Sequence, residues 1–172
     1  MHSLAIALKK NGHQVTGSDD TIFDPSLTQL QKAEICPGQM GWYPEKINQN
    51  LDGVIVGMHA KKDNPELLAA QKMGVPIFSY PEFITHYARN KTRVVIAGSH
   101  GKTTTTSLIT SIFQETKLDP TIINGGVINS IKNTAKLGKS EWSVLEADES
   151  DGSFIHITPT YSIITNIDRE HM

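Results

Sequence analysis

Three observations predict an α/β protein with mainly parallel sheet. Short apolar, β-branched runs such as Leu51–Val56 and Val94–Ile96 alternate with helical patterns along the chain. Several of those runs end in glycine-containing or acidic turns, where α/β proteins place functional loops. One run leads directly into Gly98-Ser99-His100-Gly101-Lys102-Thr103-Thr104-Thr105 and then into an amphipathic stretch, the layout of a phosphate-binding loop.

In the first half, Ser3 to Asn11 has a helical pattern closed by Gly12. His13 to Thr16 is a short strand candidate ending in Gly17-Ser18-Asp19-Asp20. Asp24-Pro25-Ser26 opens a helix to about Ala33, and Leu51 to Val56 reads as a buried strand. Asn64-Pro65-Glu66 starts a helix, with Asn64 as cap and Pro65 at the first helical position; it stops at Gly74. Val75 to Ser79 is a strand, Pro81 to Ala88 a short helix, and Arg89-Asn90-Lys91 a polar linker. A Rossmann-like sheet needs a strand and glycine turn ahead of the first helix, so residues 1–90 read as such a domain lacking its first strand.

Residues 91–172 restart the pattern. Strands are expected at Arg93 to Ala97, Thr121 to Ile123, Trp142 to Glu146 and Tyr161 to Thr165, with a helix from about Thr104 to Thr116. Gly125-Gly126 and Gly138 mark loops. This half reads as part of a phosphate-loop ATPase domain, cut short at its far end.

The loop carries the chemistry. Glycines let backbone N–H groups close on phosphate oxygens, and the helix N-terminus adds partial positive charge. Gly98, Ser99, His100, Gly101 and Thr104 supply that cradle, Lys102 reaches the β/γ-phosphates, and the Thr103 hydroxyl ligates Mg²⁺. The match to the full pattern is incomplete, because Ile96 stands where a further glycine belongs.

Glu146-Ala147-Asp148-Glu149-Ser150-Asp151 follows a strand, and a divalent cation would offset the mutual repulsion of its carboxylates. Glu146, nearest the strand end, is the best Mg²⁺ ligand; Asp148, Glu149 and Asp151 serve equally well as caps of the next turn. After the last strand come Asn166, able to hydrogen-bond a nucleotide, and His171, able to ligate a metal or meet a phosphate. Asn124-Gly125-Gly126 is a turn or a place of close ligand approach, and His100 points at substrate or fills space. In the first half, Asp19 sits where an acidic side chain binds ribose hydroxyls in dinucleotide-type folds, and Lys61 and Lys62 either meet a diphosphate or are solvated.

Composition narrows the partners. The net charge of −2 gives no general attraction to nucleic acid or anionic membrane. The single cysteine, Cys36, rules out an intrachain disulfide and fits a cytoplasmic location. No apolar run approaches the roughly 18 residues that span a bilayer. The guanine-reading Asn-Lys-x-Asp tetrapeptide of GTPases is missing.

Together, Gly98 to Thr105, Glu146 to Asp151, Thr165-Asn166-Ile167-Asp168-Arg169-Glu170-His171 and Asp63-Asn64-Pro65-Glu66 resemble, in order and spacing, the motifs of the Mur ligases over nearly the whole chain. The resemblance implies a UDP-sugar-binding domain, a central ATP-binding domain and a third domain that lies outside this sequence. It implies ATP- and Mg²⁺-dependent amide ligation through an acyl phosphate, in the cytoplasm, during peptidoglycan precursor synthesis. Thr103 and Glu146 would hold one Mg²⁺ and His171 hold or neighbour a second. Asn166 would contact nucleotide, and His100 and Asn124 would face the acceptor. Asn124-Gly125-Gly126 and Glu146 to Phe154 resemble the branch that adds L-alanine to UDP-N-acetylmuramate. Gly17-Ser18-Asp19-Asp20, Gly41 to Lys46 and Gly57-Met58-His59-Ala60 resemble the branch that recycles a murein tripeptide. The resemblance also leaves room for a fragment that binds nucleotide without turnover.

Overall fold

A computed structural model of the chain describes residues 1–148 and 157–168. It forms two compact units, Met1–Tyr80 and Pro81–Met172. Among the described residues, no helix is long and apolar enough to cross a membrane.

The first unit opens with α1 (His2–Lys10), which buries Leu4, Ile6, Ala7 and Leu8 and places Lys9 and Lys10 in its last turn, where cations favour the helix dipole. It packs on α2 (Ser26–Lys32), ahead of which the Asp24 carboxylate accepts from the Thr28 N–H at 3.0 Å. The strand expected at residues 13–16 does not form. Val15 is the only apolar side chain in that run and His13, Gln14 and Thr16 are exposed, so a ladder there would bury almost nothing. Beyond it, Asp19 makes an isolated bridge to Gly41.

After a 3₁₀ turn at Pro44–Lys46, β1 (Val54–Val56), α3 (Pro65–Met73) and β2 (Ile77–Ser79) form a βαβ unit. Its strands are parallel, with Val54 opposite Ile77. Ile47, Ala70 and Val75 make its buried core, flanked by Leu51, Val54, Ala69 and Ile77. The expected cap is present: Asn64 Oδ1 accepts from the N–H groups of Glu66 (2.9 Å) and Leu67 (3.1 Å). Gly74 ends the helix in the left-handed region, at φ 69°.

The second unit contains most of α4 (Tyr80–Ala88), then β3 (Thr92–Ala97), α5 (Lys102–Glu115), β4 (Thr121–Ile128), β5 (Asn133–Lys136), β6 (Trp142–Glu146) and β7 (Tyr161–Ile164). The five-stranded sheet has the order β5-β4-β6-β3-β7, and only β5 runs antiparallel to its neighbour. Val94, Ile96 and Val144 form the buried face beneath Ile109 and Phe113 of α5, with Trp142 edge-on to Phe113 at 5.3 Å. The Arg93 guanidinium fixes the start of β3 by donating to the carbonyls of Arg89 (2.7 Å) and Thr158 (2.6 Å).

In the second unit, too, the structure differs from the sequence expectation. Helix α5 starts at Lys102, because Gly101 adopts φ 80° as its cap and frees the next residue to turn helical. Strand β4 runs straight through Asn124-Gly125-Gly126, expected as a loop, and pairs with an unexpected β5 across an irregular register between Ile123 and Ile128. The glycines stand in a strand because other groups come close there. A Cβ on Gly125 would lie 2.9 Å from Glu146 Oε1, and one on Gly126 2.8 Å from Thr103 Cγ2.

Candidate active site: a phosphate loop at the carboxyl edge of the sheet

Strands β3 and β6 are parallel neighbours, with Ile96 opposite Glu146. The loop leaving β3 and the acid ending β6 therefore emerge side by side at the carboxyl edge, where open α/β sheets bind ligands. Residues 98–101 form the loop, with φ 131° at Gly98 and 80° at Gly101. Lys102, Thr103 and Thr104 occupy the first turn of α5, whose N–H groups have no acceptor within a helix. They point a ready set of donors, with the positive end of the helix dipole, at whatever lies before the helix.

Lys102 is buried, and its ammonium folds back to donate to the carbonyls of Gly98 (2.7 Å) and Ser99 (3.4 Å). It spans the loop from which it would reach a phosphate. The Thr103 hydroxyl donates to Glu146 Oε1 at 2.9 Å, and the Gly125 N–H donates to Oε2 at 2.7 Å. Glu146 is only 8% exposed, so a buried carboxylate is held by two donors from two different elements.

A hydroxyl beside one carboxylate is a hard-oxygen donor pair. It suits Mg²⁺, which keeps most of its shell as water and phosphate oxygen. Among the described residues no three His, Cys, Asp or Glu side chains gather as an all-protein metal cage, and this kind of site does not require one. Glu149, Asp151 and His171 lie outside the described residues.

The segment after β7 grips the loop from the other side. Asn166 Oδ1 accepts from the His100 N–H at 2.9 Å, while Asn166 Nδ2 donates to the His100 carbonyl at 3.0 Å. Thr165 Oγ1 donates to that same carbonyl at 2.5 Å. The Ser99 N–H donates to the Asn166 carbonyl, and Ser99 Oγ accepts from the Asp168 N–H at 2.9 Å. Gly98 is the point of closest approach: a Cβ there would sit 2.2 Å from Thr165 Oγ1.

Asn124 is 5% exposed and turned toward α5, its amide donating to Ser107 Oγ (3.3 Å) and the Gly126 carbonyl (2.8 Å). Ser107 Oγ in turn donates to the Thr103 carbonyl at 2.7 Å, so Asn124 backs Thr103 from within the fold. The His100 side chain is exposed. Asp19 is exposed in the first unit; desolvation and a hydrogen bond with Asp20 raise its carboxyl above the ordinary range, against the N–H groups of Thr21 and Asp20. The structure thus joins Gly98, Ser99, His100, Lys102 and Asn166 in one hydrogen-bonded set, and Thr103 with Glu146 in a second. The parts that sequence reasoning did not single out are the Gly125 N–H and the Thr165 hydroxyl. The glycine pair was in view, but nothing local to it points to a carboxylate about twenty residues away.

This is a parallel α/β domain with a phosphate loop of the Gly-Lys-Thr kind and an acidic strand end beside it. Residues 96–172 match the Mur ligase middle domain, and residues 1–92 match the domain described as the catalytic domain of the Mur ligase family. The chain belongs to the Mur ligase family. It is 50% identical over its whole length to a UDP-N-acetylmuramate–L-alanine ligase of Pelagibacter ubique, and 41% identical to one of Myxococcus xanthus. It spans 36% of the length of each of these relatives.

Two solved structures share the fold. One is a UDP-N-acetylmuramate:L-alanyl-gamma-D-glutamyl-meso-diaminopimelate ligase from Neisseria meningitides, with TM-score 0.81 and 27% identity over 99% of this chain and 58% of that one. The other is a UDP-N-acetylmuramate-alanine ligase from Thermotoga maritima, with TM-score 0.79 and 28% identity over 99% of this chain and 40% of that one.

Proposed function

We propose that the chain is the sugar-nucleotide and ATP-binding part of a ligase that joins L-alanine to UDP-N-acetylmuramate in the cytoplasm, with residues 1–90 serving the UDP-sugar and 91–172 the ATP. The observation that carries this reading is the Thr103–Glu146 hydrogen bond at the mouth of the loop, which unites a phosphate cradle with a Mg²⁺ donor pair. The names of the relatives, at 50% and 41% identity, supply the substrates.

In this reading the lactate carboxylate of the muramyl group takes the γ-phosphoryl group of ATP, and ADP leaves. The amine of L-alanine attacks the resulting acyl phosphate, and the tetrahedral adduct collapses to amide and phosphate. Mg²⁺, when bound, neutralises charge on the β/γ-phosphate oxygens. Thr103 and Glu146 would hold it, and His171 would hold or neighbour a second ion. The amides of the loop and of α5's first turn fix the triphosphate, so the reacting atoms are positioned rather than covalently activated. Lys102 leaves its loop carbonyls to meet charge on the transferring group. His100 is assigned to the acceptor and, separately in the first unit, Asp19 to the ribose hydroxyls of the sugar nucleotide; Asn124 acts from behind Thr103.

A second reading is favoured by the fold match to the Neisseria meningitides enzyme: the incoming amine belongs to a murein tripeptide. Assay of the full-length protein with ATP, Mg²⁺ and UDP-N-acetylmuramate separates the two. Product with L-alanine alone supports the first reading, and product with the tripeptide alone replaces it with the second. No amide product with either amine overturns both.

A further inference from the structure

The segment after β7 does more to the phosphate loop than border it. Its hydrogen bonds reach Ala97, Ser99 and His100 in turn. The Thr165 N–H donates to the Ala97 carbonyl at 3.0 Å, the Ser99 N–H to the Asn166 carbonyl at 3.2 Å, and Ser99 Oγ to the Asp168 carbonyl at 3.2 Å. At the centre, the Asn166 side chain closes a ring with one peptide residue, accepting from the His100 N–H at 2.9 Å and donating to the His100 carbonyl at 3.0 Å. A carboxamide matches a backbone residue in this way because it carries one acceptor and one donor at the same spacing as the residue's own N–H and C=O.

Two consequences follow. The His100 N–H is engaged by the Asn166 amide, so the donors that remain for a phosphate are concentrated at Gly101 and the first turn of α5. The Asn166 amide spends one acceptor site and one donor hydrogen on the loop, and these two bonds fix its orientation toward His100 rather than toward a base or a ribose.

We propose that Asn166 is a positioning residue of the phosphate loop: it holds the His100 peptide so that the following amides converge on the triphosphate. This rests on the ATP reading of the loop given above and assigns Asn166 a different task within it from contact with the nucleoside.

The test uses the full-length protein and two inhibitors competing with ATP, inorganic tripolyphosphate with Mg²⁺ and adenosine. The variant Asn166→Ala is expected to weaken tripolyphosphate inhibition and raise KM for ATP by about tenfold, the effect of losing a pair of neutral hydrogen bonds. Adenosine inhibition and KM for the amine should stay within about twofold. Retained adenosine inhibition also shows that the variant folds. If Asn166→Ala does not fold, Asn166→Asp gives the same comparison, since it keeps the acceptor for the His100 N–H and turns an oxygen toward the His100 carbonyl. Weakened adenosine with unchanged tripolyphosphate overturns the proposal in favour of nucleoside contact. Equal loss of both, or of neither, overturns it as well. Wild-type protein blind to Mg²⁺–tripolyphosphate would overturn the ATP reading itself, and this proposal with it.

Discussion

Thr103 and Glu146 stand 43 positions apart in the chain, yet the hydroxyl of one donates to the carboxylate of the other at 2.9 Å. The contact exists because β3 and β6 are parallel neighbours in register, so the first turn of the helix after β3 overhangs the end of β6. The hydroxyl satisfies a buried carboxylate, and two oxygens 2.9 Å apart stand at a spacing at which both could reach one metal ion.

Removing the charge of Glu146 tests that pairing. Glu146→Gln keeps the shape but puts an amide donor against either the Thr103 hydroxyl or the Gly125 N–H. The Mg²⁺ concentration for half-maximal activity is expected to rise at least about tenfold, in line with the loss of a charged group from the site. An unchanged Mg²⁺ titration would remove Glu146 from the metal site.

Lys102→Ala should lower turnover in the full-length protein at least about a hundredfold, as for loss of a key electrostatic stabiliser of the transferring group. Steady-state phosphate release measures it. Near-normal release would show that the ammonium, which spans Gly98 and Ser99 here, has no part in the transfer.

The glycines of β4 should be intolerant of even one added carbon. Gly125→Ala places a methyl 2.9 Å from Glu146 Oε1, and Gly126→Ala places one 2.8 Å from Thr103 Cγ2. Both should raise the Mg²⁺ requirement, whereas Gly38→Ala, with open space around the added carbon, should leave it unchanged. A Gly125→Ala protein with parental Mg²⁺ dependence would show that the strand can move aside.

Gly98 is under a double constraint, with φ 131° and a Cβ position 2.2 Å from Thr165 Oγ1. Gly98→Ala is expected to destabilise the fold by about 1–3 kcal/mol, the scale of a residue forced into a sparsely populated backbone region. Thermal melting of the variant beside its parent measures this, and an unchanged melting temperature would contradict the close approach.

At the opposite end of the sheet, burial pushes the Asp119 carboxyl up. The hydrogen bonds from Lys136 (2.7 Å) and the Lys139 N–H (2.9 Å), with the charges of both lysines, outweigh it and hold the carboxyl below its ordinary value. A depressed folded-state value means stability that is present above the unfolded value of 3.8 and lost as pH falls through the folded one. The pair is partly exposed, at 35% and 43%, so its contribution is under ~1 kcal/mol. Asp119→Asn should melt slightly below its parent at neutral pH, and the difference should shrink as pH falls below 3.8 and through the lowered folded-state value. A constant difference across that range would mean that the effect is not ionic.

The helices and parallel strands were legible in the sequence because local signals mark them. Asn64, Pro65 and Gly74 bracket α3, a β-branched run marks β3, and an apolar core ending in an acidic cluster marks β6. Lys102, Thr103 and Glu146 were legible as neighbours because they lie at or just past the carboxyl ends of β3 and β6, where the fold collects functional groups. What was not legible is set by distant contacts. Residues 124–126 look like a turn until Glu146 and Thr103 are packed against them. Asn166 looks like a group free to bind nucleotide until the His100 peptide is placed beside it. Strand β5 has alternating burial, but Asn133 and Ala135 are the inward residues, so no apolar pattern announces it.

A crystal structure of the full-length protein with Mg²⁺ and a non-hydrolysable ATP analogue tests the central claim most directly. The account predicts the β-phosphate within hydrogen-bond reach of the Lys102, Thr103 and Thr104 amides, and the metal on Thr103 Oγ1 with Glu146 beside it. A triphosphate bound elsewhere, or a metal with neither Thr103 nor Glu146 near it, would contradict it.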